Sequence, residues 1–178
     1  MILDLNEFQT WAFGDSLDNT LRGIIGEFIV LKAVKAEAAH RLNWDGFDIL
    51  MTDNTKIEVK VSGYVQSWQQ KDLNIIKFDI EKKNPWVAGE NRYLGYKCRY
   101  ADIWVFAVHR EQERQSAKPF DTDQWDFLVT STAWLDEVFK DQKSVYYSVL
   151  QQKGLKPVGF DELAATIDSV KTALRQTP

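Results

Sequence analysis

Apolar residues recur along the chain with two periods, and the switches between them mark out the elements. Leu21, Ile24, Ile25, Phe28, Leu31 and Val34 follow helical spacing, which predicts a helix from Asn19 to about His40. Asp18 or Ser16 is placed to cap it. Its apolar arc is wide, as expected of a helix lying deep against a sheet. Gly23 and Gly26 within it suit close approach to a neighbouring backbone. A short lead-in, helical around Glu7 to Phe13, comes before. Phe47 to Met51 and Lys56 to Ser62 alternate as strands do, around the polar turn Thr52 to Thr55. Ile75 to Ile80 reads as a third strand and Glu81 to Tyr100 as a long, partly ordered loop. Ile103 to Val108 is the longest unbroken apolar run and reads as a buried strand. Trp125 to Thr130 is another, after the polar loop Arg110 to Asp123. Ser131 or Thr132 caps a short helix through Phe139, and Val145 to Ser148 suggests a small strand. Leu163, Ile167, Val170 and Leu174 stripe a C-terminal helix, as core or as a dimer seam. The order predicts an α/β fold, a mixed β-sheet flanked by α-helices.

The first strand pair carries a further deduction. Phe47, Ile49 and Met51 on one strand and Ile57, Val59 and Val61 on the other are all odd-numbered. If both sets face one core, odd residues oppose odd residues, because directly opposed residues share a face and a one-residue slip would invert a strand. Asp48, Glu58 and Lys60 then share the opposite face. This pairing needs an odd turn, such as three residues with Asp53 or Asn54 near the left-handed region. The pattern therefore brings together two carboxylates and an ammonium. Hard divalent cations prefer such carboxylate oxygens together with water. Taken alone, charges on a half-exposed strand are equally what solvent demands. Lys60 is expected on the solvent or cleft side, where its loss costs little stability.

Composition narrows the classes. The chain has 178 residues, 44% hydrophobic and 27% charged, which suits one domain spanning 1–178. Its net charge of −4 argues against coating nucleic acid by bulk electrostatics, though not against a local basic patch working with metal cations. Two histidines and one cysteine argue against structural zinc and Cys-protease chemistry. His40 and His109 read as bystanders and Cys98 as an inert thiol. No apolar run is long enough to span a bilayer, so no membrane partner is expected. The lone cysteine and the absence of a basic n-region after Met1 point to a cytoplasmic protein.

Three features add to the strand pair. Glu27 sits on the largely apolar face of the long helix, where a carboxylate is costly unless a cation meets it. Gln66-Ser67-Trp68 follows Lys60 closely. The order helix-Glu, strand-Asp, turn, strand-Glu-x-Lys, over Arg22 to Trp68, resembles the PD-(D/E)XK superfamily of restriction-endonuclease-like nucleases. The resemblance implies a restriction-endonuclease-like core that cuts phosphodiesters with Mg²⁺, for which Mn²⁺ may substitute. It implies metal ligation by Asp48 and Glu58, with the Val59 carbonyl and Glu27 adding to the set, and Lys60 as the motif lysine. Gln66 matches a polar residue often found after the motif. Phe47 stands where many members have proline. Asp45 competes for the role of Asp48, which is the one in phase with Glu58 and Lys60.

The expected activity is thus a Mg²⁺-dependent nuclease, an endonuclease acting on DNA. Arg92, Lys97 and Arg99 alternate with Tyr93, Tyr96 and Tyr100, so they and Trp68 are the candidates for holding the substrate. The alternative is a catalytically inactive module on the same fold that binds nucleic acid or protein. A homodimer stays among the partners the sequence allows.

Overall fold

The computed structural model describes residues 2–37, 41 and 44–176; His40 lies outside them. Helix α1 spans Leu5–Phe13, capped by the Asp4 carboxylate on the Glu7 N–H. Helix α2 spans Asn19–Ala33, where Asp18 accepts from the Thr20 and Leu21 N–H groups. It stops short of the expected end because Lys35 adopts the left-handed region at φ 52° and the Ala36 N–H turns back to the Leu31 carbonyl. Strands β1 (Ile49–Leu50) and β2 (Lys56–Gly63) form the hairpin, and β3 is Lys77–Asp79. The expected loop 81–100 contains a small hairpin of β4 (Trp86–Val87) and β5 (Arg92–Tyr93). Then come β6 (Ile103–His109), β7 (Trp125–Ser131), α3 (Thr132–Phe139, capped by Ser131) and β8 (Ser144–Tyr146). The chain ends in α4 (Tyr147–Gln152) and α5 (Phe160–Gln176). Helix α4 takes the place of the end of the strand expected at 145–148; one buried residue, Leu150, is too little periodicity to read.

The main sheet has the order β1-β2-β6-β7, with β2 and β6 parallel and both outer pairs antiparallel. Every residue of β6 is buried, as a central strand covered on both faces requires. On the odd face Ile49, Ile57, Val59, Val105 and Phe127 pack under α2 and α5. On the even face Trp104, Phe106 and Leu128 pack under α3, α4 and the ribbon formed by β3 and β8. The molecule is thus a three-layer mixed α/β fold. The C-terminal stripe is core: Leu163 and Ile167 are buried, and Val170 and Leu174 pack beside them.

Two helices depart from expectation. Only one side of α2 is covered, and Phe28 stays half exposed, so its apolar arc is wider than the face the sheet uses. Helix α1 buries none of its residues. Among the described residues no helix is long and apolar enough to cross a membrane.

Candidate active site

The hairpin has the expected parity. Ile49 opposes Ile57, and the Asp48 N–H also turns to the Ile57 carbonyl at 2.9 Å, which ends the regular ladder at Ile49 and leaves the Asp48 side chain in the cleft that Glu58 lines. Met51 and Thr55 close the hairpin around the three residues 52–54, with Asn54 in the left-handed region at φ 66°. The pairing stops there: β1 is two residues long, and beyond it Asp48 Oδ2 takes the Val59 N–H at 2.7 Å. Hydrogen-bonding groups alternate sides along a strand, so the Val59 carbonyl faces the same open edge.

Glu58 and Lys60 project from β2 on the even face and form an ion pair. The Lys60 ammonium also lies 5.5 Å from the centroid of the Trp104 ring. These groups and Asp48 line a cleft of about 270 Å³, walled by Asp79, Trp86 and Tyr100. Lys60 is therefore no solvated strand lysine. Its side chain is 24% exposed and that of Glu58 17%, because the segment following β3 roofs the even face at this point.

Glu27 reaches the neighbourhood from the other layer. Gly26 rests on Val61, where a Cβ would stand 2.6 Å from Val61 Cγ2, and this close approach seats α2 on β2. Glu27 is met by Arg41, whose Nε donates to its carboxylate at 2.5 Å, and it also feels the charges of Asp48 and Lys60. Arg41 was not legible as a site residue. It lies beyond the helical pattern, and no local spacing ties it to Glu27.

Burial raises the carboxyl pKa of Glu27, Asp48 and Glu58 alike. Arg41 for Glu27, the Val59 N–H for Asp48 and Lys60 for Glu58 oppose this without cancelling it. For Lys60, burial acts to lower the pKa, but Glu58, Asp48 and Asp79 outweigh it and the ammonium is held above its ordinary value. The group sets three partly desolvated carboxylates against two cations, Lys60 and Arg41, an excess of negative charge. That is an environment which favours a further cation.

The other expected residues fall elsewhere. Gln66 is buried at the far end of β2, where its amide accepts from the Arg22 guanidinium at 2.9 Å and donates to the Gly63 carbonyl at 3.0 Å. Its role is to satisfy a buried arginine outside the cleft. Trp68 is exposed beside a separate groove with Leu73 and Arg114. Arg99 borders the cleft, but its guanidinium is sealed inside: it donates to the Ile80, Lys140 and Gln142 carbonyls and pairs with Asp136. It ties the strand-end loop to the end of α3 and has no donor directed at a ligand outside. Arg92 and Lys97 are exposed on the segment that carries the cleft wall, Arg92 paired with Glu90. Asp45 accepts from the Ala88 N–H at 3.0 Å, which braces the β4–β5 hairpin and leaves Asp48 as the carboxylate opposite Glu58. His109 is buried and bonded to Gln124.

No protein-family model matches the chain, and no curated protein matches it. Among the described residues no group of three or more His, Cys, Asp or Glu forms a ready-made metal cluster. The donor set nonetheless suits a hard cation. Magnesium is commonly held by one or two carboxylates with water and substrate phosphate completing the shell. Asp48, Glu58 and the Val59 carbonyl offer that number of oxygens at one edge.

Proposed function

We propose that the protein is a Mg²⁺-dependent nuclease with a restriction-endonuclease-like core, hydrolysing DNA phosphodiester bonds within the strand. The observation that carries this reading is the meeting of Asp48, Glu58 and Lys60 in one cleft at the point where β1 ends. Asp48 and Glu58 would hold the cation, with the Val59 carbonyl beside them; Mn²⁺ would serve in the same donor set. What such a cation supplies is stabilisation of charge on the scissile phosphate and its leaving oxygen. Lys60, held between Glu58 and Trp104, keeps its proton and presents an ammonium to the phosphate or to the attacking water. Glu27, paired with Arg41, would act on this set through its charge, since it feels Asp48 and Lys60 from the neighbouring layer. Arg92 and Lys97, exposed on the segment that carries the cleft wall, would be the residues to meet a DNA backbone there.

The second reading is a binding module without turnover. It is favoured by the Glu27–Arg41 pair, which occupies one of the expected ligands. Plasmid and single-stranded DNA incubated with the protein in Mg²⁺, Mn²⁺ or EDTA separate the two. Nuclease action is metal-dependent strand scission that Lys60→Ala abolishes. Retention of DNA on a gel without scission under any metal would put the binding module first.

A further inference from the structure

The N-terminal segment has the composition of a core helix and the exposure of a surface one. Ile2, Leu3, Leu5, Phe8, Trp11 and Phe13 all lie open, Ile2 at 99% and Trp11 at 83%. The three aromatic rings lie against one another, with Phe8 6.4 Å from Trp11 and 6.3 Å from Phe13. The connection to α2 fixes this posture. Asp15 accepts from the Leu17 N–H, the Asp18 N–H bonds the Asp15 carbonyl, and Leu17 is buried, so α1 is directed away from its own body.

Charge limits what can cover it. Residues 1–21 hold Asp4, Glu7, Asp15 and Asp18 and no lysine or arginine. Polyanions and anionic lipid surfaces are repelled by such a segment. A fitting surface is apolar and basic. The chain itself carries one, on the uncovered side of α2: Phe28 is 49% exposed with the Lys32 ammonium 5.0 Å from its ring centroid, and Lys35 is exposed just past the end of the helix.

We propose that α1 of each copy docks on the Phe28–Lys32 face of α2 in a second copy, giving a two-fold dimer by reciprocal helix exchange. The areas agree. With an aromatic side chain covering 150–250 Å², the open apolar surface of one segment is on the order of 700 Å². That exceeds the patch of about 300–600 Å² that a monomer usually leaves open. Two segments, together with the faces they cover, pass the roughly 1,200 Å² of a stable interface. The contact is self-complementary, as a closed two-fold dimer requires. It uses no residue of the cleft, so it stands whether or not the protein is a nuclease.

Light scattering on the full chain across a dilution series tests it, with Trp11→Glu and Phe28→Glu as the perturbations. Both side chains are open in the single copy, so circular dichroism is expected to show each variant folded. Wild type is expected at twice 20.6 kDa and each variant at 20.6 kDa. Mixing the two variants then decides. The α1 of the Phe28→Glu chain is intact and so is the α2 face of the Trp11→Glu chain, so the mixture regains one of two contacts and forms a mixed dimer, seen by native mass spectrometry. A monomeric wild type overturns the proposal, including one that floats with lipid vesicles instead. So does a Phe28→Glu variant that dimerises like wild type, or a mixture that stays monomeric.

Discussion

Replacing Asp48 by Asn is expected to make the metal-free protein more stable while ending its proposed activity. The immediate group sets the carboxylates of Glu27, Asp48 and Glu58 against the cations Lys60 and Arg41. Glu58 is paired with Lys60 and Glu27 with Arg41; among the described residues Asp48 has no ion pair of its own and feels these two cations only as neighbours. Its carboxyl pKa is raised above the ordinary 3.8, chiefly by burial, against the pull of the Val59 N–H. Asn keeps an oxygen acceptor for the Val59 N–H and removes the charge, so the gain should be on the order of 1–2 kcal/mol, the scale on which relieving a poorly compensated, partly buried charge acts. In a chain of this size that is about 2–8 °C in Tm. The sign with pH follows from linkage. A carboxyl whose folded pKa lies above its unfolded value stabilises the fold fully below the unfolded pKa and loses this as pH rises through the folded one. The advantage of Asp48→Asn should therefore be absent in acid and grow as pH rises through the raised pKa of Asp48. Melting curves in EDTA across that range measure it. In Mn²⁺ the wild type should gain stability by mass action and Asp48→Asn much less. A variant that melts below wild type in EDTA at neutral pH, or gains equally from Mn²⁺, would refute the reasoning.

Lys60→Ala should cost about 1–2 kcal/mol, less than the 3–5 of a fully buried pair because both partners are partly solvated; adding Glu58→Gln should recover part of it in urea titrations. Lys56→Ala, which removes an ammonium 4.1 Å from the Tyr100 ring, should cost at most about 1 kcal/mol and leave single-turnover cleavage unchanged, whereas Lys60→Ala should slow it about 100-fold or more. Arg99→Met should lose about 3 kcal/mol in the same titrations, since it strands three backbone carbonyls and Asp136. Gly26→Ala should cost about 1–3 kcal/mol by overpacking against Val61, and Val61→Ala should relieve it in the double variant, which a thermal melt cycle reads directly.

The strand pair was legible because two independent constraints agreed there. The odd apolar residues demanded one register, and Asn54 supplied the backbone that the resulting turn needs. Glu27 was legible as a carboxylate out of place on an apolar face, but its partner was not, since Arg41 lies past the end of α2 and meets Glu27 only in three dimensions. Arg99 and Gln66 misled for a shared reason. A charged or amide side chain near a motif looks the same in sequence whether it faces a ligand or satisfies buried backbone. Only the positions of Ile80, Lys140 and Gln142 around Arg99, and of Arg22 around Gln66, distinguish the two. The lysine of the motif was placed on the right face but judged too wet, because nothing in the sequence near Lys60 announces that the chain after β3 returns to cover it.

The brevity of β1 has a consequence for how these molecules behave in a crowd. Past Asp48 no strand among the described residues lies beside the outer edge of β2, and an open edge is a template on which another chain can add a strand. Here the first free N–H, that of Val59, is taken by a carboxylate. Asp48, Glu27 and Arg41 crowd charge around the same gap, where an incoming backbone would have to displace it without compensation. The charge excess that weakens the fold thus also guards the edge. Sequences that neutralise it would gain thermal stability and lose part of their resistance to strand-by-strand aggregation, so selection on solubility alone would retain acidic residues at this gap, whatever chemistry the cleft performs.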